Sequence, residues 1–487
     1  MDTLTTIAIV CGVYFAVVLA IGAVAYRRTG SGSEEYFLGG RTARTLVLFM
    51  ALFGTNVTPF VLMGIPGLAY HQGVGVFGLN AAIVALGIPL TFWLIGDPAW
   101  RAARRVGAIT PAELFAERFA SPAVGYVLFA AFVLYTLPYM VTSVLGVGLA
   151  VTELTGGAVS FAAAAGALLA ITLAYTALGG MRATMWTNVF QGAVFLGLMV
   201  VAFVWIASDY GGVAAAMDRV RTHAPQLLTK GERPIFAPGA WASWGLAISL
   251  TVIAFPHMLV RIFAAKDVTA LKNSCRLYPP ALVLLWLPAV LFGVWGAVEL
   301  PGLSGRESDV VFVRLVAAHL PAVGQGVALA GILAAVMSTV DAQFLTLSSM
   351  LIRDVLRRTR RAPSEAQQVR LGRWFVVGLA AVTYVVALWR PASIFSIASF
   401  SFSGYVTLIP TLLLGLHWRR MTAAGAIASV VVGNVALGLT AAASAPVLGV
   451  LPVAWGLGAG LAAAIVVSRM STPPPVDVVD RVLGTAP

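Results

Sequence analysis

Charge is what this chain has least of. Only 10% of its 487 residues are Asp, Glu, Lys or Arg, against 60% hydrophobic. A soluble domain carries roughly a quarter charged residues, so water is excluded as the main solvent. Cysteine is nearly missing. Cys11 and Cys275 fall in different segments and build neither a disulfide framework nor a metal site. No nucleophile–base–orienter grouping and no metal motif is found, which disfavours an enzyme. The start, Met1-Asp2-Thr3, lacks a basic n-region and its apolar run continues to Tyr26, so it reads as a first span rather than a cleaved signal. No linker is large enough to separate soluble domains, and no obligatory protein partner is evident.

What is present is apolar length. The mean hydropathy is +0.92. Thirteen stretches reach the ~20 residues that cross a hydrocarbon core: 3–26, 45–70, 75–100, 123–153, 159–178, 184–208, 241–264, 276–299, 322–355, 371–389, 391–416, 423–443 and 447–468. This predicts an all-α, multi-pass integral membrane protein whose first partner is the lipid bilayer. The formal charge of +12 would suggest nucleic acid in a soluble protein; here it sorts by loop. With the N-terminus outside, 24 of the 31 Lys and Arg residues fall on the inner side, including the arginines between 353 and 373. The positive-inside bias thus orients the chain N-out and C-in, in a plasma membrane. The Pro-rich tail, 470–487, reads as a disordered cytoplasmic segment.

The chain is organised around residues 50–64, MALFGTNVTPFVLMG. Gly54 loosens the backbone, Asn56 and Thr58 offer competing hydrogen bonds, and Pro59 withholds an N–H. A helix broken at membrane depth survives where it lines a cavity or meets a ligand; freed carbonyls suit a small cation and a helix N-terminus suits an anion. A proline kink repaired by neighbouring helices is the alternative. A second interruption, TVIAFPHMLVRIF, breaks the seventh span at Pro256, the span on which the second group of five opens. Residues 45–208 and 241–416 each hold five spans and enter from opposite sides. That parity permits a five-plus-five inverted repeat with one helix before it, 3–26, and two after it, 423–468.

Residues 331–353, GILAAVMSTVDAQFLTLSSMLIR, carry the second signal. Ala335, Ser338, Thr339 and Ala342 share a small, partly hydroxylated face, and adjacent hydroxyls can offer oxygens to a hard cation. Na⁺ needs about five oxygens, so a broken helix would supply the rest. Back-bonding of the hydroxyls to their own helix is the competing role. Asp341 lies about 18 Å of helix before Arg353 at 1.5 Å per residue, deep in the membrane. An intramembrane carboxylate is a functional candidate, as ion ligand, attractor or proton carrier.

GGMRATMWTNVFQG (179–192), AAVMSTVDAQFL (334–345) and FPHMLVRIFAAKD (255–267) together resemble the sodium:solute symporter family, from about Tyr36 to Trp418. The resemblance implies the LeuT-type fold and alternating access. It also implies one Na⁺ held by carbonyls of Gly54, Val57 and Ala335 and hydroxyls of Ser338 and Thr339. Asn188 stands where many members carry Asp, which argues for a single coupling ion; Asn188 and Asp341 are the candidate coupling residues. Val61, Asn80 and Met140 fall where sugar-transporting relatives carry amides and carboxylates. A polyol there would leave hydroxyls unpaired at roughly 1–3 kcal/mol each. A small carboxylate or amino-acid-like solute fits better, held by a helix N-terminus or by Na⁺, with Thr58, Tyr139, Thr142, Ser143 and Phe255 as further contacts.

The GVGVFG at 73–78 joins two spans with no preceding strand and is a chance match to a dinucleotide loop. His257 is a lone histidine with a structural or gate-lining role, and Arg182 and Arg261 read as anchors at cytoplasmic helix ends. The function expected is Na⁺-coupled symport of a small organic solute. Proton-coupled transport on the same fold is the alternative, and a transporter-like sensor the third.

Overall fold

Pro59 and Pro256 divide their spans as their chemistry requires, because neither can donate the N–H that would carry a helix through. In the computed structural model, which describes residues 2–27, 37–358, 364–443 and 446–485, the first break separates α2 (Thr45–Asn56) from α3 (Phe60–Gln72) with a 55° bend. The second separates α9 (Pro238–Ala254) from α10 (Pro256–Phe263) with a 51° bend.

Around these two pairs the chain is helical throughout, with two isolated bridges and no named strand among the described residues. In order come α1 (Thr3–Arg27), the α2–α3 pair, α4 (Gly75–Val106), α5 (Pro111–Arg118), α6 (Pro122–Leu154), α7 (Phe161–Asp209) and α8 (Val213–His223). The α9–α10 pair is followed by α11 (Val268–Glu299), α12 (Val311–His319), α13 (Ala322–Val355) and α14 (Glu365–Trp389). The chain closes with α15 (Ile394–Val406), α16 (Ile409–His417), α17 (Ala423–Ala441), α18 (Pro452–Met470) and α19 (Val476–Leu483).

Ten described helices are long and apolar enough to cross a membrane, and up to twelve spans result if each bent pair counts once. The expected span 159–178 is the shorter apolar helix Phe161–Ala174. It meets the following helix within α7 at Gly180, whose φ of 59° only glycine takes without strain. Between the spans expected at 184–208 and 241–264, the connecting residues contain α8. The tail departs from expectation. Instead of being disordered it holds α19, which buries Val479 and Val482 against α4 and α5. Arg419 reaches Asp480, and Arg481 reaches Glu117 at 3.0 Å. Arg28, Arg360 and Arg361 lie outside the described residues.

The core sits where the bent pairs meet α13, α6, α7 and α11. Close approach needs a missing side chain: a Cβ on Gly293 of α11 would lie 2.2 Å from the Pro66 carbonyl oxygen of α3. One face of the bundle gathers residues 300–321 and the α7–α8 junction, where His319 bonds both Glu299 and Asp209. The opposite face gathers α5, α19 and the ends of α10 and α13.

Candidate functional site

The first break exposes carbonyls. Val57 is extended (φ −84°, ψ 117°), and Pro59 opens the next helix without an N–H to offer. Thr58 then serves both of its atoms locally: its hydroxyl accepts from Phe60 N at 3.2 Å and its carbonyl from Val61 N at 2.9 Å. The first donors of α3 are thereby used, so this helix N-terminus does not offer the free anion seat expected of it. The α2 side differs, because its last carbonyls turn toward α13. Ser338 Oγ donates to Gly54 O at 2.8 Å and lies 3.0 Å from Ala335 O. Thr339 Oγ1 lies 3.1 Å from Thr55 O, 3.3 Å from Val57 O and 3.0 Å from Ala335 O.

All five expected oxygens are therefore brought together, in residues that are wholly buried. The sixth, Thr55 O, was not anticipated. The donor set is neutral, of carbonyls and hydroxyls without a carboxylate. That chemistry fits a monovalent hard cation better than Ca²⁺ or Mg²⁺, which draw carboxylates.

Asn188 and Asp341 are not part of this oxygen set. With its amide oriented to satisfy both atoms, Asn188 accepts from Arg261 at 2.7 Å and donates to Thr184 O at 2.9 Å and Gln191 Oε1 at 3.1 Å. Gln191 passes the chain on to the Tyr14 hydroxyl of α1 at 3.1 Å. Asp341 is fully buried on the side of α13 turned away from Thr339, toward Tyr14. Arg261 corrects an expectation: it is not an interfacial anchor but 0% exposed, because the bend at Pro256 drives α10 into the bundle.

Beside the first break lies an almost wholly apolar cavity of ≈ 30 Å³, room for about one water. Val61 and Tyr139, two of the residues expected to contact solute, line it. Asn56 of the break lines it too, as do Phe60, Thr251, Trp286 and Phe402, which carry no such signal in the sequence. The Tyr139 hydroxyl donates to Thr58 Oγ1 at 3.4 Å, and its ring stacks on Phe255 at 5.0 Å. The other expected contacts lie elsewhere. Asn80 is satisfied by Trp244 Nε1 at 2.8 Å, Thr142 donates back to Tyr139 O at 2.7 Å, and Met140 and Ser143 are buried off the cavity.

Both ends of the bundle are shut over this cavity. At one end, Asp309 Oδ2 accepts from Ile394 N at 2.9 Å, which ties residues 305–310 to the start of α15. Burial pushes the Asp309 carboxyl up to about 7, opposed by that N–H. Arg314 grips Glu153 through two bonds of 3.1 Å. At the other end the halves of the two broken helices meet: Lys266 N donates to Ala43 O at 2.9 Å, and Arg41 donates to Ala108 O at 2.9 Å. Arg104 holds Ala265 O at 3.1 Å and Lys266 O at 2.8 Å. A cavity this small, with both ends tied by such contacts, admits solute only after one of them parts.

Residues 36–433 match the sodium:solute symporter family. The chain belongs to that family. The sodium/pantothenate symporter of Escherichia coli (strain K12) is 30% identical over 477 residues, 95% of this chain and 96% of that one. The high-affinity proline transporter PutP of Bacillus subtilis (strain 168) is 27% identical over 428 residues, 85% and 88% of the two chains. A Na⁺-coupled sialic acid symporter, solved in a substrate-bound outward-open state, superposes with a TM-score of 0.82 over 96% of this chain and 99% of that one. Its 17% identity speaks to the fold alone. This family member is thus a Na⁺-coupled solute symporter and not an enzyme, built on the LeuT-type architecture and embedded in the membrane by many helices.

Proposed function

We propose that this symporter carries a small carboxylate with a modest apolar body, driven by one Na⁺ bound to Gly54 O, Val57 O, Ala335 O, Ser338 Oγ and Thr339 Oγ1. The convergence of those oxygens within 3.3 Å contacts supports the ion site. An apolar cavity with only Asn56, Tyr139, Thr251 and Trp286 as polar heads supports the solute class, since a polyol would meet too few partners. The solutes named for the two sequence relatives above, pantothenate and proline, both carry a carboxylate. With the α3 donors already used by Thr58, that carboxylate would meet Asn56, Tyr139 and the Na⁺ itself.

The bias of basic residues supports an orientation with the end that carries Arg353, Glu113 and α19 in the cytoplasm, the end that carries Asp309 outside, the N-terminus out and the C-terminus in. Residues 45–208 and 241–416 would be the two inverted repeats, their first helices the two bent pairs. The test is uptake by proteoliposomes of labelled carboxylates, amino acids and sugars, with an inward Na⁺ gradient or with choline. We expect Na⁺-dependent accumulation of one or more small carboxylates. Uptake confined to sugars would refute the solute class.

A further inference from the structure

Past the Ser338–Thr339 pair, α13 continues toward the Arg353 end with polar residues on the same face. Thr339, Gln343 and Thr346 are separated by four and three residues, so they stack on one side of the helix over about 10 Å. The face is sealed: Gln343 is 0% and Thr346 1% exposed. Yet neither Gln343 Oε1 nor Nε2, nor Thr346 Oγ1, has a hydrogen-bond partner among the described residues. His257 repeats the pattern on α10, which packs against both α13 and α2. It is 0% exposed, stacked on Phe255 at 5.1 Å, and neither ring nitrogen has a partner among the described residues.

Buried polar atoms are nearly always paired, because leaving one dry costs free energy. An apolar residue would pack these positions at no such cost. Three unpaired side chains next to an ion site, on two elements that touch, are polar for a conformation other than this one. The floor beneath them is held by side chains that can part. Thr110 donates to both Asp354 oxygens at 2.9 and 2.8 Å, and Arg353 meets Glu113 at 2.6 Å.

We propose that Gln343, Thr346 and His257 line the route by which the monovalent cation leaves toward the Arg353 end, with the Gln343 amide oxygen as its first station below Thr339. When α10 swings away from α13 and the Thr110–Asp354 floor parts, water enters and pairs these groups. The ion then exchanges site oxygens for amide, hydroxyl and water oxygens in steps, never crossing bare apolar surface. This rests on the ion site proposed above, and the experiment separates the two.

In full-length protein with Cys11→Ser and Cys275→Ser, Gln343→Cys and Thr346→Cys are exposed in sealed vesicles to a membrane-impermeant, cationic methanethiosulfonate. Without Na⁺, both should react from the Arg353 end and not from the other, and saturating Na⁺ should slow the reaction at least tenfold. Adding Ser338→Ala and Thr339→Val should abolish that protection and leave labelling intact. Protection that survives the pair would sink the ion site and spare the route. No labelling from the Arg353 end in Na⁺-free vesicles, while an Arg370→Cys control reacts, overturns the route; so does labelling that Na⁺ never slows. A Gln343→Leu variant guards against a purely structural role. It should raise the melting temperature, cut the net uptake rate at least tenfold and leave the half-saturating external Na⁺ unchanged. A lower melting temperature with normal uptake would refute the proposal.

Discussion

Thr339→Val removes one hydroxyl and keeps the side-chain shape. Thr55 O, Val57 O and Ala335 O, at 3.1, 3.3 and 3.0 Å from Thr339 Oγ1, would then face a methyl group. The net loss to the fold is about 1 kcal/mol, the worth of an intramolecular hydrogen bond. The loss to the ion is larger. Disturbing even the outer partners of a metal site lowers affinity about 10–100-fold, and Thr339 would be a direct ligand. Taking roughly 30-fold, the shift appears as linkage. Na⁺ at 100 times its parental Kd stabilises the protein by about 2.7 kcal/mol, whereas the variant at the same concentration retains about 0.9 kcal/mol. Thermal unfolding of purified protein in NaCl against choline chloride reads this directly, and half-saturating Na⁺ for uptake reads it again. The control is Thr383→Val, whose hydroxyl donates to Leu379 O at 2.7 Å far along α14 and should leave both readouts unchanged. A Thr339→Val protein whose Na⁺ response matches the parent within twofold would refute the assignment.

Pro59→Ala should let α2 and α3 rejoin and withdraw the carbonyls at 54–57, which weakens solute and Na⁺ binding together. Calorimetric titration of solute at several Na⁺ concentrations should then show the mutual enhancement, typically about 5–150-fold, shrink toward one. Asp309, raised from 3.8 to about 7, contributes stability fully below about pH 4, and that contribution fades as pH rises through 7 and the buried carboxyl ionises. Asp309→Asn keeps an acceptor for Ile394 N, so its melting temperature should fall less than the parent's between pH 5.5 and 8; equal slopes would count against the buried acid. Removal of residues 472–487 uncovers the surface that α19 packs on and takes away the contacts of Arg105 with Val482 O, of Arg419 with Asp480 and of Glu117 with Arg481. Amide exchange across 97–118 should quicken, and an unchanged pattern would mean that α19 does not brace α4 and α5.

Local chemistry made the two breaks readable, because proline denies an N–H whatever surrounds it. Spacing on one helix likewise exposed the Ser338–Thr339 pair. Thr55 O could not be read that way, since which carbonyls turn toward α13 depends on the dihedrals at Val57, where the chain leaves the helix. Asn80 looked like a solute contact until folding set Trp244, 164 residues away, against its amide. Trp286 and Phe402 gave no signal, since an apolar residue reads the same in a cavity wall as in lipid.

Composition and periodicity sufficed for the solvent, the helical class and the approximate count of spans, because a bilayer permits only segments that satisfy their own backbone. Resemblance in three motifs added the family and the five oxygens of the proposed ion site. The 51° turn that buries Arg261, the docking of α19 and the size of the cavity beside the first break came from tertiary structure alone. Each depends on contacts between residues far apart in the chain, and pairwise packing over such separations leaves no local periodicity for a single sequence to display.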